Sequence, residues 1–250
     1  IIRRSSLRAM QDLALDTIYY DHAGDLDFSQ GDGEINPVVA CAVYVPSVQK
    51  SSVLDTLPKR CSDGELLKFS SGEVGEEALF EFTRSILELD VDISILTIDS
   101  ASKESAELLS DLLESSNQLR QSKGVRKTTA RFISYYRFAS EAVLSVRARR
   151  SSRKGAAVNR FNLVLDSETL QRKERDLFSR VLRKVMLGDS ARVQSLEWQM
   201  EQEEPLLLVP DLIAGGIFRC GRNLRPSATF SLLRAEAQQR RVSWVDGPSE

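Results

Sequence analysis

Thr17-Ile18-Tyr19-Tyr20-Asp21 and, further on, Val38-Val39-Ala40-Cys41-Ala42-Val43-Tyr44-Val45 are the two runs from which the fold is read. The first is β-branched and aromatic and breaks at Ala23, Gly24 and Asp25; the second opens after Pro37 and closes at Pro46. Both read as strands. The acidic, Gly-rich stretch Asp25 to Glu34 between them reads as a hairpin loop. It is not a calcium-binding EF-hand, because Gln30 stands where that loop requires Gly. Outward from this pair, Glu65 to Phe69 is a third strand, Glu77 to Leu89 a helix with one apolar face, and Ile93 to Ile98 a fourth strand ending at Asp99. Helical periodicity then covers Lys103 to Leu119 and Val125 to Arg149. Arg160 to Asp166 alternates as a strand, Glu168 to Leu187 is helical, and a strand lies near Ala191 to Trp198. Pro205 or Pro210 opens an apolar helix through Phe218, and Ser227 to Arg240 adds another. Three strands followed by alternating helices and strands predict an α/β fold, a mixed β-sheet flanked by helices.

Composition narrows the function. The 250 residues are 42% hydrophobic, enough for a core, and carry a net charge of −2. No apolar run approaches the roughly 20 residues of a membrane span, so a soluble, cytoplasmic protein without a membrane partner is expected. Cys41, Cys61 and Cys220 are widely spaced and His22 is the sole histidine, which leaves little material for a zinc site or a Ser-His-Asp triad. Neither phosphate-cradling glycine motif occurs. What remains is acidic chemistry: Asp21 ends the first strand, Asp166 ends the strand after the long helix, and Asp211 lies in the first turn of the late helix. Sheet sites collect at such strand ends and helix starts. Taken singly, Asp21 also fits a turn residue, and Asp166 and Asp211 fit helix caps.

The ordered set carries a resemblance. Ile18-Tyr19-Tyr20-Asp21-His22-Ala23-Gly24-Asp25 resembles the strand-end Asp-Glu-Ser-Gly motif of the domain of unknown function 3800 family. Leu163-Val164-Leu165-Asp166 is similar to its middle strand, and Pro210-Asp211-Leu212-Ile213-Ala214-Gly215-Gly216 to its Ala-Asp-Leu-Ile-Ala-Gly-Ala helix. The resemblance implies an RNase H-like, integrase-like domain spanning 1–250, in which acidic residues hold Mg²⁺ or Mn²⁺ for phosphodiester hydrolysis. Asp21, Asp166 and Asp211 would then be catalytic metal ligands, with Asp99 or Glu65 as a further carboxylate. His22, Ala23, Leu208 and Pro210 depart from the family's Glu, Ser, Gln and Ala.

Charge is segregated. Gln118 to Arg160 holds twelve basic residues against Glu141, a net +11, so the remainder carries −13. The segment 119–160 reads as a basic helical insertion, with Arg147 to Lys154 as a basic loop. Arg126, Lys127, Arg131, Arg137, Arg147, Arg149, Arg150, Arg153 and Lys154 are its candidates for holding a nucleic-acid backbone. Phe132, Tyr135, Tyr136 and Phe138 could stack bases, although Phe132 and Tyr136 share the apolar face. The expectation is a divalent-metal-dependent nuclease, a hydrolase; the alternative is an inactive module that keeps the fold and binds nucleic acid or an acidic protein.

Overall fold

The computed structural model describes residues 15–24, 38–59, 64–69, 72–98, 123–155, 158, 160–167, 170–185, 192–223, 227–239 and 242–246. Among these, β1 (Thr17–Ala23), β2 (Val38–Val45), β3 (Asp92–Ile98), β4 (Arg160–Asp166), β5 (Arg192–Gln199) and β6 (Val242–Asp246) form one sheet in the order β5-β4-β1-β2-β3-β6. Strand β2 is antiparallel to β1 and β3; β4 is parallel to β1, β5 to β4 and β6 to β3. The mixed sheet flanked by helices is therefore present. No helix among the described residues is long and apolar enough to cross a membrane.

Every residue of β2 is buried because helices cover both faces of the sheet. The pleat sends Tyr19, Cys41, Val43 and Val164 to one face, where they pack with α5 (Leu208–Asn223), α2 (Glu76–Glu88) and α6 (Ala228–Gln238). Ile18, Tyr20, Ala42, Leu163 and Leu165 go to the other, against α3 (Lys123–Lys154) and α4 (Arg172–Val185). Each helix turns an apolar stripe inward: α2 buries Leu79, Phe82, Thr83 and Ile86, and α3 buries Tyr135, Phe138, Ala139, Ala142, Val143 and Val146. The short α1 (Lys50–Thr56) follows β2 through a 3-10 turn.

Three sequence readings change. Glu65 to Phe69 is no sheet strand; one bridge, Leu66 to Lys59, ties it back beside Pro58, whose carbonyl accepts from the Leu67 N–H at 2.9 Å. The sequence reading also missed β6, which extends the sheet beyond β3. Arg147 to Lys154 is helix rather than loop: α3 runs unbroken over about 48 Å at 1.5 Å per residue. Its end is held by charge. Asp92, fully buried at the start of β3, accepts from Arg150 Nη1 at 3.1 Å and Arg153 Nε at 2.8 Å. Asp90 takes Arg150 at 3.1 Å, Arg153 at 2.7 Å and Lys154 at 2.9 Å. Burial pushes the Asp90 carboxyl up, but the hydrogen bonds from Arg150, Lys154 and Arg153 hold it well below the usual range. Arg150 also lies over the Tyr44 ring, 4.9 Å from its centre.

The helix Lys103 to Leu119 and Asp99 lie outside the described residues.

Candidate active site

Strands β1 and β4 pair in parallel with Tyr20 opposite Leu165, which brings Asp21 beside Asp166, the last residue of β4; β1 itself runs two residues further, to Ala23, so Asp21 stands within its strand rather than ending it. Both extend the rows of Tyr19 and Val164 and so face α5. Asp211 enters from the first turn of α5, the helix packed across that face. Three elements far apart in sequence thus deliver three carboxyls to one end of the sheet.

The site is electrostatically loaded. Asp21 is 8% exposed and accepts the His22 backbone N–H at 2.7 Å. Burial pushes its carboxyl well above the usual range, Asp211 and Asp166 push it further, the His22 N–H draws it back, and Glu201 raises it again. Burial also pushes the Asp211 carboxyl up to about 6, against the Phe69 N–H, which donates to its Oδ2 at 3.0 Å. Glu201 and Asp166 add to the rise; Lys68 opposes it.

Glu201 is the site residue that sequence reasoning missed. It lies two residues past β5, in which Gln199 pairs with Asp166. It falls in the turn beyond the strand, where an acid gives no local signal in the sequence. Its carboxylate meets the Lys68 ammonium at 2.5 Å. Glu65 is exposed and lines, with Leu66, Leu67, Lys68, Glu201, Gln202, Pro205 and Leu208, a cleft of about 350 Å³ beside the acidic cluster.

A glycine explains how this segment is seated. A Cβ on Gly215 would lie 2.2 Å from the Phe69 ring, so the missing side chain is the notch into which Phe69 fits, under Arg219 at 4.2 Å. Gly215→Ala is expected to lower stability by about 1–2 kcal/mol net of its helix propensity and to detach the Phe69 N–H from Asp211. Gly216→Ala meets only the end of Leu79. Thermal melts of the two variants check this: the Gly215 variant should melt lower.

Four carboxylates are the hard oxygen donors that Mg²⁺ and Mn²⁺ take, so the donor set fits such an ion. As placed, no three His, Cys, Asp or Glu side chains among the described residues stand close enough to hold one ion. The carboxyls are gathered at one end of the sheet, not closed into a ligand shell.

His22 sits on the opposite face, as strand alternation predicts, with its ring edge-on to Tyr135 at 5.6 Å. The aromatic residues of α3 are core rather than base-stacking platforms. Tyr135 and Phe138 are fully buried, and Tyr135 packs on Tyr20, Phe178 and Trp198. Phe132 and Tyr136 both meet Phe178.

The basic candidates divide along the helix. Arg150, Arg153 and Lys154 pair with Asp90 and Asp92 at the start of β3, the sheet end opposite Asp21. Arg147 donates from Nε to the Val158 carbonyl at 2.9 Å. Arg149 is partly buried and Arg137 exposed. Positions 126, 127 and 131, of Arg126, Lys127 and Arg131, lie on the helical turns before Tyr135 at the acidic end; their side chains are outside the described residues.

No family model matches the chain, and no curated protein does. Among solved structures, a point mutant of Bst-RNase HIII superposes with a TM-score of 0.50 at 16% identity, covering 95% of this chain and 68% of that one. Bst-RNase HIII in complex with Mn²⁺ gives a TM-score of 0.46 at 16% identity over the same shares. The fold is RNase H-like.

Proposed function

We propose that this protein is a divalent-metal-dependent nuclease of the domain of unknown function 3800 family. The observation that supports it most is the convergence of Asp21, Asp166 and Asp211, from β1, β4 and α5, on one end of the sheet beside Glu201. These four residues would hold Mg²⁺ or Mn²⁺, and the ion supplies water activation and charge stabilisation at a phosphodiester. The chain's own contribution is positioning. The His22 and Phe69 N–H groups fix the Asp21 and Asp211 carboxylates, α5 caps the face, and the adjoining cleft takes the substrate. The first turns of α3 carry positions 126, 127 and 131 and then the exposed Arg137 at this end, which makes this half of the helix the candidate for meeting a nucleic-acid backbone; Arg150, Arg153 and Lys154 lie at the other end, paired with Asp90 and Asp92.

Cleavage of labelled single- and double-stranded DNA and RNA in Mg²⁺ and Mn²⁺ tests the reading. Turnover lost in Asp166→Asn protein supports it, and turnover that persists there rejects the site.

The alternative of an inactive module has its own support: no metal-spaced triad stands among the described residues, and Lys68 already neutralises Glu201. It expects salt-sensitive nucleic-acid binding with no turnover in either metal.

The buried acids also set a pH dependence. A carboxyl whose folded pKa is raised binds protons that the unfolded chain has released, so its stabilising contribution is present below about pH 4 and lost as pH rises through 6. Between pH 5 and 7 in chelator, the melting temperature should fall, and Mn²⁺ should reverse the fall. A melting temperature that is flat or rises over that window contradicts the clustering.

A further inference from the structure

Lys68 is the cation that the structure brings into the carboxylate cluster from the cleft side. Its Nζ lies 2.5 Å from Glu201 Oε2. The next residue, Phe69, gives its backbone N–H to Asp211 and anchors its ring in the Gly215 notch. Lys68 therefore stands on a pinned segment, while its side chain keeps 28% exposure and lines the cleft. We infer that Lys68 is an exchangeable counter-cation: it holds Glu201 in the metal-free protein, is displaced from it when a divalent ion takes that carboxylate, and then presents its ammonium to a substrate phosphate in the cleft.

Three observations carry the inference. The ion pair joins a short segment to the far end of β5, so its partner is supplied by the fold rather than by a neighbouring turn. A flexible four-carbon stem lets one ammonium reach two partners without backbone movement. The cleft wall sets Leu66, Leu67, Pro205 and Leu208 beside Glu65, Glu201 and Gln202, and Lys68 is its one cation among the described residues, so a phosphate entering there meets that ammonium once Glu201 is taken by the ion. The consequence is order: divalent ion first, phosphate second.

The inference rests on the metal-binding reading above, and calorimetric Mn²⁺ titration of the full chain at low salt separates the two. Lys68→Met, with Lys68→Gln as a second neutral variant, should bind Mn²⁺ about fivefold to tenfold more tightly than the unsubstituted protein, because a competing cation has been removed. Lys68→Arg should retain the unsubstituted affinity, and in a Glu201→Gln background the gain should vanish. Both neutral variants should bind a labelled oligonucleotide more weakly in Ca²⁺. Mn²⁺ uptake by the unsubstituted protein with equal or weaker uptake by both neutral variants overturns the role of Lys68 alone. No uptake by any of them overturns the metal site as well.

Discussion

Asp21→Asn protein is expected to lose metal-dependent cleavage by a factor of about 10² or more while melting at a higher temperature than the unsubstituted protein in chelator. The two effects share a cause. Asp21 is nearly buried, and Asp211, Asp166 and Glu201 all act on it with the same sign of charge. Asparagine keeps the oxygen that accepts the His22 N–H and removes the charge, so the fold loses a repulsion and keeps a hydrogen bond. A gain of about 1 kcal/mol or more is the expected scale for relieving a buried like-charge contact. The same change removes a hard anionic ligand, and disturbance of even the outer shell of a metal site costs 10- to 100-fold in typical cases. Stability raised with activity lost is the signature of a site held under strain for function. Melting in chelator and cleavage in Mn²⁺, measured on one preparation, check both halves. An activity loss accompanied by destabilisation would instead make Asp21 a structural acid.

Arg150→Ala is expected to produce the largest loss of stability, about 3–5 kcal/mol, with the acidic cluster at the other end of the sheet unaffected in geometry. Asp92 is fully buried and Arg150 nearly so, and removing one partner leaves a carboxylate in the interior with only the half-exposed Arg153 beside it. For a chain of this size, that corresponds to a fall of roughly 6–20 °C in melting temperature. Arg150 also covers the Tyr44 ring, so the substitution opens a gap as well. A double-mutant cycle with Asp92→Asn separates the two contributions: a coupling below about 0.5 kcal/mol would show that packing, not the ion pair, dominates.

The sequence declared the central strands because β1 and β2 are buried on both faces and have to be continuously apolar or aromatic. It also declared three of the clustered acids, because each interrupts an apolar run, Asp21 within β1, Asp166 at the end of β4 and Asp211 at the start of α5. It did not declare what depends on distant partners. Glu65 to Phe69 looks like a strand locally, yet its position is set by Gly215, far along the chain, whose lack of a side chain admits the Phe69 ring. The pairing of Arg150, Arg153 and Lys154 was not legible because composition records charge and not its neighbours; Asp90 and Asp92, about sixty residues away, offset part of that charge. Glu201 escaped because it falls beyond its strand, in a turn where an acid carries no local signal.

Mn²⁺ binding, measured by calorimetry on unsubstituted and Asp21→Asn/Asp211→Asn protein, tests most directly whether the acids are gathered for a cation. Saturable uptake with proton release by the unsubstituted protein, abolished in the double variant while its fold persists, is the predicted result. Absence of uptake by the unsubstituted protein, or equal uptake by both, would contradict it.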